Sequence, residues 1–180
     1  MGQDKSLLTY HGKTQVEHAF DLLTPFCEKV FVSTRADQAA QAGYSHLPQL
    51  HDSSEYTDAG PLGGILSAMT AYPDKAWLVL ASDLPLVTPN AIQYLLNGRD
   101  PKKFTTAFIS STDNLPEPLC AVWESHAFTG ASKLFQEGIK CPRKVLIKSE
   151  SALLAQKDPR WLNNINTPEE LSDFFVNFPK

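Results

Sequence analysis

The segment that most constrains the fold is the continuously apolar run from Ala76 to Ala81, AWLVLA. A run of this length without a polar residue predicts a strand that is buried on both faces, as in the centre of a parallel sheet covered by helices. Ser82-Asp83-Leu84-Pro85 follows it directly. Ligands of open α/β sheets bind beyond the carboxyl ends of such strands, which makes Asp83 the first candidate functional residue.

The rest of the chain alternates β-rich runs with amphipathic helical stretches. Helices are predicted after the capping signals Thr14-Gln15-Val16-Glu17, Gly60-Pro61, Thr88-Pro89 and Thr167-Pro168, and over residues 127–137. Strands are predicted over residues 29–33, 76–81, 104–109 and 119–123, whereas 143–157 fits either state. No repeat or linker divides the sequence. We therefore expect one α/β domain over residues 1–180, with three layers and a mostly parallel sheet flanked by helices.

Composition excludes several classes of protein. The 180 residues carry a net charge of −4, which disfavours a nucleic-acid partner, because phosphate backbones are bound by clustered lysine and arginine. No segment approaches the ~18 apolar residues of a membrane span, and the N-terminus does not read as a secretory signal, so a cytoplasmic location is expected. Three widely spaced cysteines favour free, buried thiols over disulfides or a metal clip.

Two candidate sites have a functional and a purely structural interpretation. The carboxylate of Asp83 is placed to hold Mg²⁺ against a triphosphate, since Mg²⁺ takes one or two carboxylates and fills its other positions with water and phosphate oxygen. A turn before Pro85 explains it equally well. Gly63 and Gly64 lie in the first turn of a predicted helix, where each glycine costs about 1 kcal/mol relative to alanine. Close approach of a ligand, or of neighbouring backbone, would account for them.

Two further candidates lie towards the ends of the chain. Lys5 offers a compact charge that stabilises the oxygen developing in nucleotidyl transfer, although most lysines near a terminus are solvated. Asn163, Asn164 and Asn166 cluster before Thr167-Pro168. A turn and a helix cap explain part of this cluster, while side-chain amides also suit the donors and acceptors of a heteroaromatic ligand.

The order of these motifs resembles that of the molybdenum-cofactor guanylyltransferase family, MobA. The matching segments extend from the N-terminus nearly to the C-terminus: Met1-Gly2-Gln3-Asp4-Lys5, Asp52, Gly60-Pro61-Leu62-Gly63-Gly64, Asp83-Leu84-Pro85, Glu117-Pro118-Leu119 and Asn164-Ile165-Asn166-Thr167-Pro168. The resemblance implies a fold of the nucleotide-diphospho-sugar-transferase type, related to the Rossmann fold.

The resemblance also implies a reaction, in which GMP passes from GTP to the terminal phosphate of molybdopterin carrying molybdenum, with release of pyrophosphate. The protein is expected to be a monomer that interacts with other proteins of molybdenum-cofactor synthesis. Asp83 would bind Mg²⁺ and Lys5 the triphosphate as the catalytic residues, while Asn164 and Asn166 would face the pterin. The remaining GTP contacts would be Ser33, where relatives often have asparagine, together with Asp52 and Gly60.

One part of the family signature does not occur in the sequence. Relatives carry a first strand and a glycine-rich loop ahead of the aspartate-lysine pair, and backbone N–H groups of such a loop cradle phosphates. Activity is therefore expected for a form extended at its N-terminus. Without that loop, a catalytically inactive nucleotide-binding homologue is the better interpretation. A molybdopterin cytidylyltransferase or a sugar-phosphate nucleotidyltransferase are the alternatives within enzymes, and the asparagine-rich C-terminal motif favours guanylyl transfer.

Overall fold

The computed structural model describes residues 9–10, 12–35 and 43–163, which form a mixed α/β structure. The helices are α1 (Gln15–Leu23), α2 (Pro61–Ala71), α3 (Pro89–Asn97), α4 (Ala127–Gln136) and α5 (Pro142–Ile147). The strands are β1 (Thr9–Tyr10), β2 (Lys13–Thr14), β3 (Val32–Thr34), β4 (Gln49–His51), β5 (Trp77–Leu80), β6 (Thr105–Ile109), β7 (Pro116–Trp123) and β8 (Ala152–Ala155). The predicted α/β class is confirmed.

The predicted helix starts within the described residues agree with the structure. At the start of α1, Thr14 Oγ1 accepts a hydrogen bond from the Glu17 N–H at 3.3 Å, and Glu17 Oε2 accepts one from the Thr14 N–H at 2.9 Å. This reciprocal pair is the capping box that the sequence predicts. Thr88 caps α3 by accepting from the Ala91 N–H at 3.2 Å. The helix predicted from Thr167 lies outside the described residues.

Strand pairing divides the sheet structure into three parts. β1 and β2 form a short antiparallel pair, β3 and β4 form a parallel pair, and the largest sheet has the order β5-β7-β6-β8. In that sheet β7 is antiparallel to β5 and to β6, while β8 is parallel to β6. Three of its four strands therefore run in one direction, and their carboxyl ends lie at the same edge.

Helices cover both faces of the largest sheet. Alternation along β7 sends Ala121 and Trp123 to one face and Cys120 and Val122 to the other. The first face packs against α2, α4 and α5, and the second against α1, α3 and Trp161. Such packing on both sides is the three-layer arrangement that the sequence predicts, and it explains why β7 is apolar without alternation.

Two strands differ from their sequence predictions for one shared reason. All four residues of β5 are only partly buried, and β3 is shorter than predicted, with Ser33 exposed. Among the described residues β5 pairs only with β7, and β3 pairs only with β4. Their other edges face a common cavity. Both faces of β5 pack against the hydrophobic clusters, as expected, and its exposure comes from the unpaired edge. The expectation of a central strand with partners on both edges is therefore wrong for the residues described.

Residues 143–157, which the sequence leaves ambiguous, contain both kinds of element. All of α5 except its first residue comes first, and β8 follows. The three cysteines form no disulfide, as expected, but of the three only Cys120 is buried, whereas Cys27 is partly buried and Cys141 is exposed. No helix within the described ranges has the length and apolar character needed to cross a bilayer.

Candidate active site

A cavity of about 490 Å³ lies between α1 and β3 on one side and β5 on the other. At one end it is lined by Ser33, Gly64, Ser82 and Asp83, together with Leu119. These residues follow or border the carboxyl ends of β3 and β5, the position at which open α/β sheets bind ligands. The rest of the lining is mainly apolar. The polar end, rather than the apolar part between the strand edges, lies where open α/β sheets bind ligands.

Asp83 reaches this cavity because β5 stops pairing two residues earlier. The Ala81 N–H donates to the Leu119 carbonyl at 2.7 Å, and the chain then turns through Ser82 and Asp83. Asp83 is partly buried and lines the cavity, whereas Leu84 and Pro85 beyond it are buried. The structure thus places this carboxylate where the sequence predicts a functional residue.

Ser33 and Asp52 meet across the parallel pair of β3 and β4. Ser33 Oγ donates to Asp52 Oδ1 at 3.2 Å, and the Asp52 N–H donates to the Thr34 carbonyl at 2.9 Å. Partial burial raises the pKa of Asp52, although the Ser33 hydroxyl opposes that shift. Burial disfavours the charged carboxylate, whereas a hydrogen bond to it favours the charge. Two residues predicted to lie along a nucleoside are therefore in contact with each other.

The glycines of α2 allow this helix to approach the Ser33–Asp52 pair. Gly60 precedes the helix with φ of +55°, in the left-handed region that favours glycine. A Cβ atom at Gly64 would clash with Ser33 Oγ, and one at Gly63 would lie 2.8 Å from the Tyr56 carbonyl oxygen. Close packing against protein atoms therefore explains both glycines of the first turn. Gly60 itself is not among the residues that line the cavity, whereas Pro61 and Gly64 are.

The remaining predicted residues, Lys5, Asn164 and Asn166, lie outside the described residues. Among the described residues, no group of three or more histidine, cysteine, aspartate or glutamate side chains is arranged to hold a metal ion. That finding is compatible with Mg²⁺, which needs only one or two carboxylates when a substrate phosphate completes its coordination. Asp83 at the polar end of the cavity suits this role by position and chemistry.

Sequence reasoning assigned no role to two residues close to this edge. Glu117 belongs to a motif that the resemblance contains, and its carboxylate accepts a hydrogen bond from the Leu119 N–H at 3.1 Å. Arg143, in the first turn of α5, donates to Glu117 Oε2 at 2.8 Å. Nothing in the sequence pattern pairs an arginine at 143 with an acid at 117, because the two are brought together only by the packing of α5 on β7.

Comparison with known proteins gives concordant matches. The sequence model of a protein family, the MobA-like NTP transferase domain, matches residues 1–152 of this chain. A molybdenum cofactor biosynthesis bifunctional protein of Synechocystis sp. is 32% identical over 170 residues, which are 94% of this chain but only 48% of that protein. The chain thus spans about half the length of that relative.

A shorter relative and a solved structure match over most of their length. A molybdenum cofactor guanylyltransferase of Pseudomonas aeruginosa is 30% identical over 176 residues, covering 96% of this chain and 86% of that protein. Among solved structures, molybdopterin-guanine dinucleotide biosynthesis protein A of Archaeoglobus fulgidus superposes with a TM-score of 0.75 at 21% identity. That alignment covers 96% of this chain and 89% of the other, and it supports a shared fold.

Proposed function

This chain belongs to the MobA-like NTP transferase family, and on that premise we propose that it transfers GMP from GTP to molybdopterin carrying molybdenum. The observation that carries the proposal is the cavity at the carboxyl ends of β3 and β5, where Ser33, Gly64 and Asp83 come together. The location agrees with the rule for ligand sites in open α/β sheets. The name of the Pseudomonas aeruginosa relative specifies the guanylyl group.

The reaction needs no covalent intermediate on the protein. A terminal phosphate oxygen of the pterin attacks the α-phosphorus of GTP in line, and the bond from that phosphorus to the bridging oxygen breaks as pyrophosphate leaves. The protein contributes by positioning the two substrates and by neutralising charge. Mg²⁺, when bound, would supply positive charge against the phosphates, and Asp83 is the residue proposed to hold it.

The other residues are assigned by their position around the nucleotide. Ser33 and Asp52 would lie along the nucleoside, with the carboxylate oriented by the 3.2 Å hydrogen bond from the Ser33 hydroxyl. Gly60, at the start of α2, would border the same nucleotide. Lys5 is proposed to contact the triphosphate, and Asn164 and Asn166 the pterin. The cytoplasmic location, the monomeric state and any contact with other proteins of the pathway remain predictions.

Nucleotide binding tests the proposal directly. We would titrate GTP, CTP and UTP, each with Mg²⁺, into this chain and into a form extended upstream in frame. Tighter binding of GTP than of CTP and UTP by either form, followed by GMP transfer to the pterin, is the expected result. Preference for CTP would favour the cytidylyl alternative. Absence of binding by both forms would contradict a nucleotidyltransferase altogether.

A further inference from the structure

The start of β7 carries a large bulge next to the candidate active site. Ala107 of β6 pairs with Ala121, but the next residue, Phe108, pairs with Glu117. Pro118, Leu119 and Cys120 therefore have no partner on β6. On the other side of β7, Cys120 still pairs with Leu80, and the Leu119 carbonyl still accepts from Ala81. A bulge of this kind re-aims a strand locally, and bulges are frequent beside active sites.

Side chains bind two of the backbone groups within the bulge. Glu117 Oε1 accepts the Leu119 N–H at 3.1 Å, and the fully buried indole of Trp123 donates to the Pro118 carbonyl at 3.1 Å. Buried backbone groups without partners are costly, so these two bonds favour one conformation of the bulge over others. Glu117 and Trp123 thus fix the orientation of Leu119.

The carboxylate of Glu117 is itself held from outside β7. Arg143 donates to Glu117 Oε2 at 2.8 Å and to Asp113 Oδ2 at 3.0 Å. The Glu117 side chain is only 16% exposed, so the ion pair is partly desolvated and its geometry matters more than on an open surface. With two acidic partners for one guanidinium, the group has no excess positive charge to offer a phosphate. Its position instead suits holding Glu117 in place.

A short series of contacts connects Glu117 to Asp83. Glu117 binds the Leu119 N–H, the Leu119 carbonyl accepts from Ala81, and the Asp83 turn begins at the next residue. Given the proposed function, we propose that Glu117, held by Arg143, is a positioning residue for guanylyl transfer. It fixes the point from which the Asp83 turn departs. Glu117 does not touch the reacting atoms in this role.

Amide exchange at Ala81 tests the proposal without any substrate. Glu117→Ala removes the acceptor for the Leu119 N–H, so the Ala81 amide should exchange at least tenfold faster. The Val79 amide, in register with Ala121 outside the bulge, should keep its rate. Glu117→Gln retains an oxygen acceptor and should keep most of the Ala81 protection. The matched control is Glu150→Gln, which breaks the ion pair of Lys103 with an 86% exposed glutamate away from β7. This control should leave both rates unchanged.

Turnover supplies the second readout. A displacement of about 1 Å costs up to ~100-fold in rate, so Glu117→Ala should lower kcat by about that factor while KM for GTP changes less than threefold. Glu117→Gln should restore most of kcat. A loss of stability alone would instead reduce the amount of folded enzyme. The kcat per folded molecule would then stay at the wild-type value. An Ala81 amide that exchanges at the wild-type rate in Glu117→Ala would overturn the proposal.

The positioning role of Glu117 can be tested even when Glu117→Ala does not fold or when the wild-type chain is inactive. If Glu117→Ala does not fold, Arg143→Ala must still raise Ala81 exchange above that of the Glu150→Gln control, and equal exchange would overturn the positioning role. If the wild-type chain, in either form, does not transfer GMP, the proposed function fails. The exchange experiment then decides separately whether Glu117 orders the Asp83 turn, since it needs neither GTP nor pterin.

Discussion

Asp83 lines the cavity at the end of β5 and belongs to neither of the two hydrophobic clusters that hold the sheet and helices together. Asp52 lies close to Gly64 and is bound by Ser33, in surroundings that disfavour its charge. At the scale of the residue, the two carboxylates are therefore expected to respond differently to replacement. Replacement of Asp83 should lower turnover while the chain still folds, and replacement of Asp52 should change stability as well.

For Asp83→Ala we expect loss of Mg²⁺-dependent GMP transfer in a chain that still folds, because Asp83 belongs to neither hydrophobic cluster. The measurements are turnover at saturating GTP and urea denaturation, in the form of the protein that transfers GMP. Asp74→Ala, at an exposed aspartate in the loop before β5, is the matched control. Unchanged turnover in Asp83→Ala would remove this residue from its proposed role.

For Asp52→Asn we expect a chain that is more stable than the wild type at neutral pH. Partial burial raises the pKa of Asp52 above its ordinary value of 3.8, so the folded state binds this proton more tightly than the unfolded state does. The wild type therefore loses stability as the pH rises through the interval from 3.8 to the raised pKa, and regains it below. Asparagine has no charge to desolvate and keeps an oxygen for Ser33.

Urea denaturation between pH 3 and pH 7 measures this difference. The stability gained by Asp52→Asn should be largest at pH 7 and should vanish below pH 3.8, while affinity for GTP should fall. Asp74→Asn, at an exposed aspartate, is the matched control for removing a carboxylate. A gain of the same size at every pH would mean that the charge of Asp52 is not responsible.

At the scale of the element, α2 depends on how closely its first turn approaches β3. Gly64→Ala introduces a methyl group that clashes with Ser33 Oγ, and overpacking of this kind costs about 1–3 kcal/mol. Alanine has a higher helix propensity than glycine, which stabilises the folded state by about 1 kcal/mol and offsets part of this cost. We therefore expect a net loss of stability that Ser33→Ala relieves in the double variant, because it removes the hydroxyl. Urea denaturation of the four proteins gives the coupling energy, and strictly additive effects would contradict the clash.

The predicted elements show which kinds of information the sequence contains. Caps at Thr14 and Thr88 are local, so helix starts were predicted from a few neighbouring letters. The bulge at Pro118 and the Arg143–Glu117 ion pair depend on partners distant in the chain, and no local pattern encodes them. The exposure of β5 was mispredicted because AWLVLA reports the hydrophobicity of the strand, not the number of its pairing partners.

The candidate site also contains one feature that local sequence predicts and one that it does not. Asp83 was predicted as a candidate because a position after an apolar strand is where ligands bind in this fold class, and in the structure it lines the cavity. The Ser33–Asp52 contact, by contrast, joins two strands through a parallel pairing whose register cannot be deduced from either segment alone.

At the scale of the whole molecule, the candidate site and a buried ion pair lie at opposite edges of the largest sheet. Arg99, just after α3, donates to both carboxylate oxygens of Glu124 at 2.7 and 2.8 Å, and the Glu124 side chain is only 6% exposed. Glu124 follows the carboxyl end of β7, which is the end away from Asp83 because β7 and β5 are antiparallel. Stability and nucleotide binding should therefore be separable.

We expect Glu124→Gln to lower the free energy of unfolding by about 1–3 kcal/mol, since it leaves a guanidinium N–H without its charged acceptor. Affinity for GTP, measured per folded molecule in the form that binds it, should stay within twofold of the wild type. Glu150→Gln, at an exposed ion pair, should cost less than ~0.5 kcal/mol. A large loss of affinity in Glu124→Gln would show that the two edges are coupled.

The order of strands in the largest sheet also has a consequence for the time course of folding. β6 and β7 are joined directly by residues 110–115 and form a local hairpin, whereas β5 must find β7 across α3 and β6. Contacts between distant segments form more slowly than local ones, because a longer loop must close first. We therefore expect the β6–β7 hairpin, including the bulge at Glu117, to form first. β5 would then pair with β7 at a later step. The turn that carries Asp83 would then be among the last parts of the sheet to reach its native conformation.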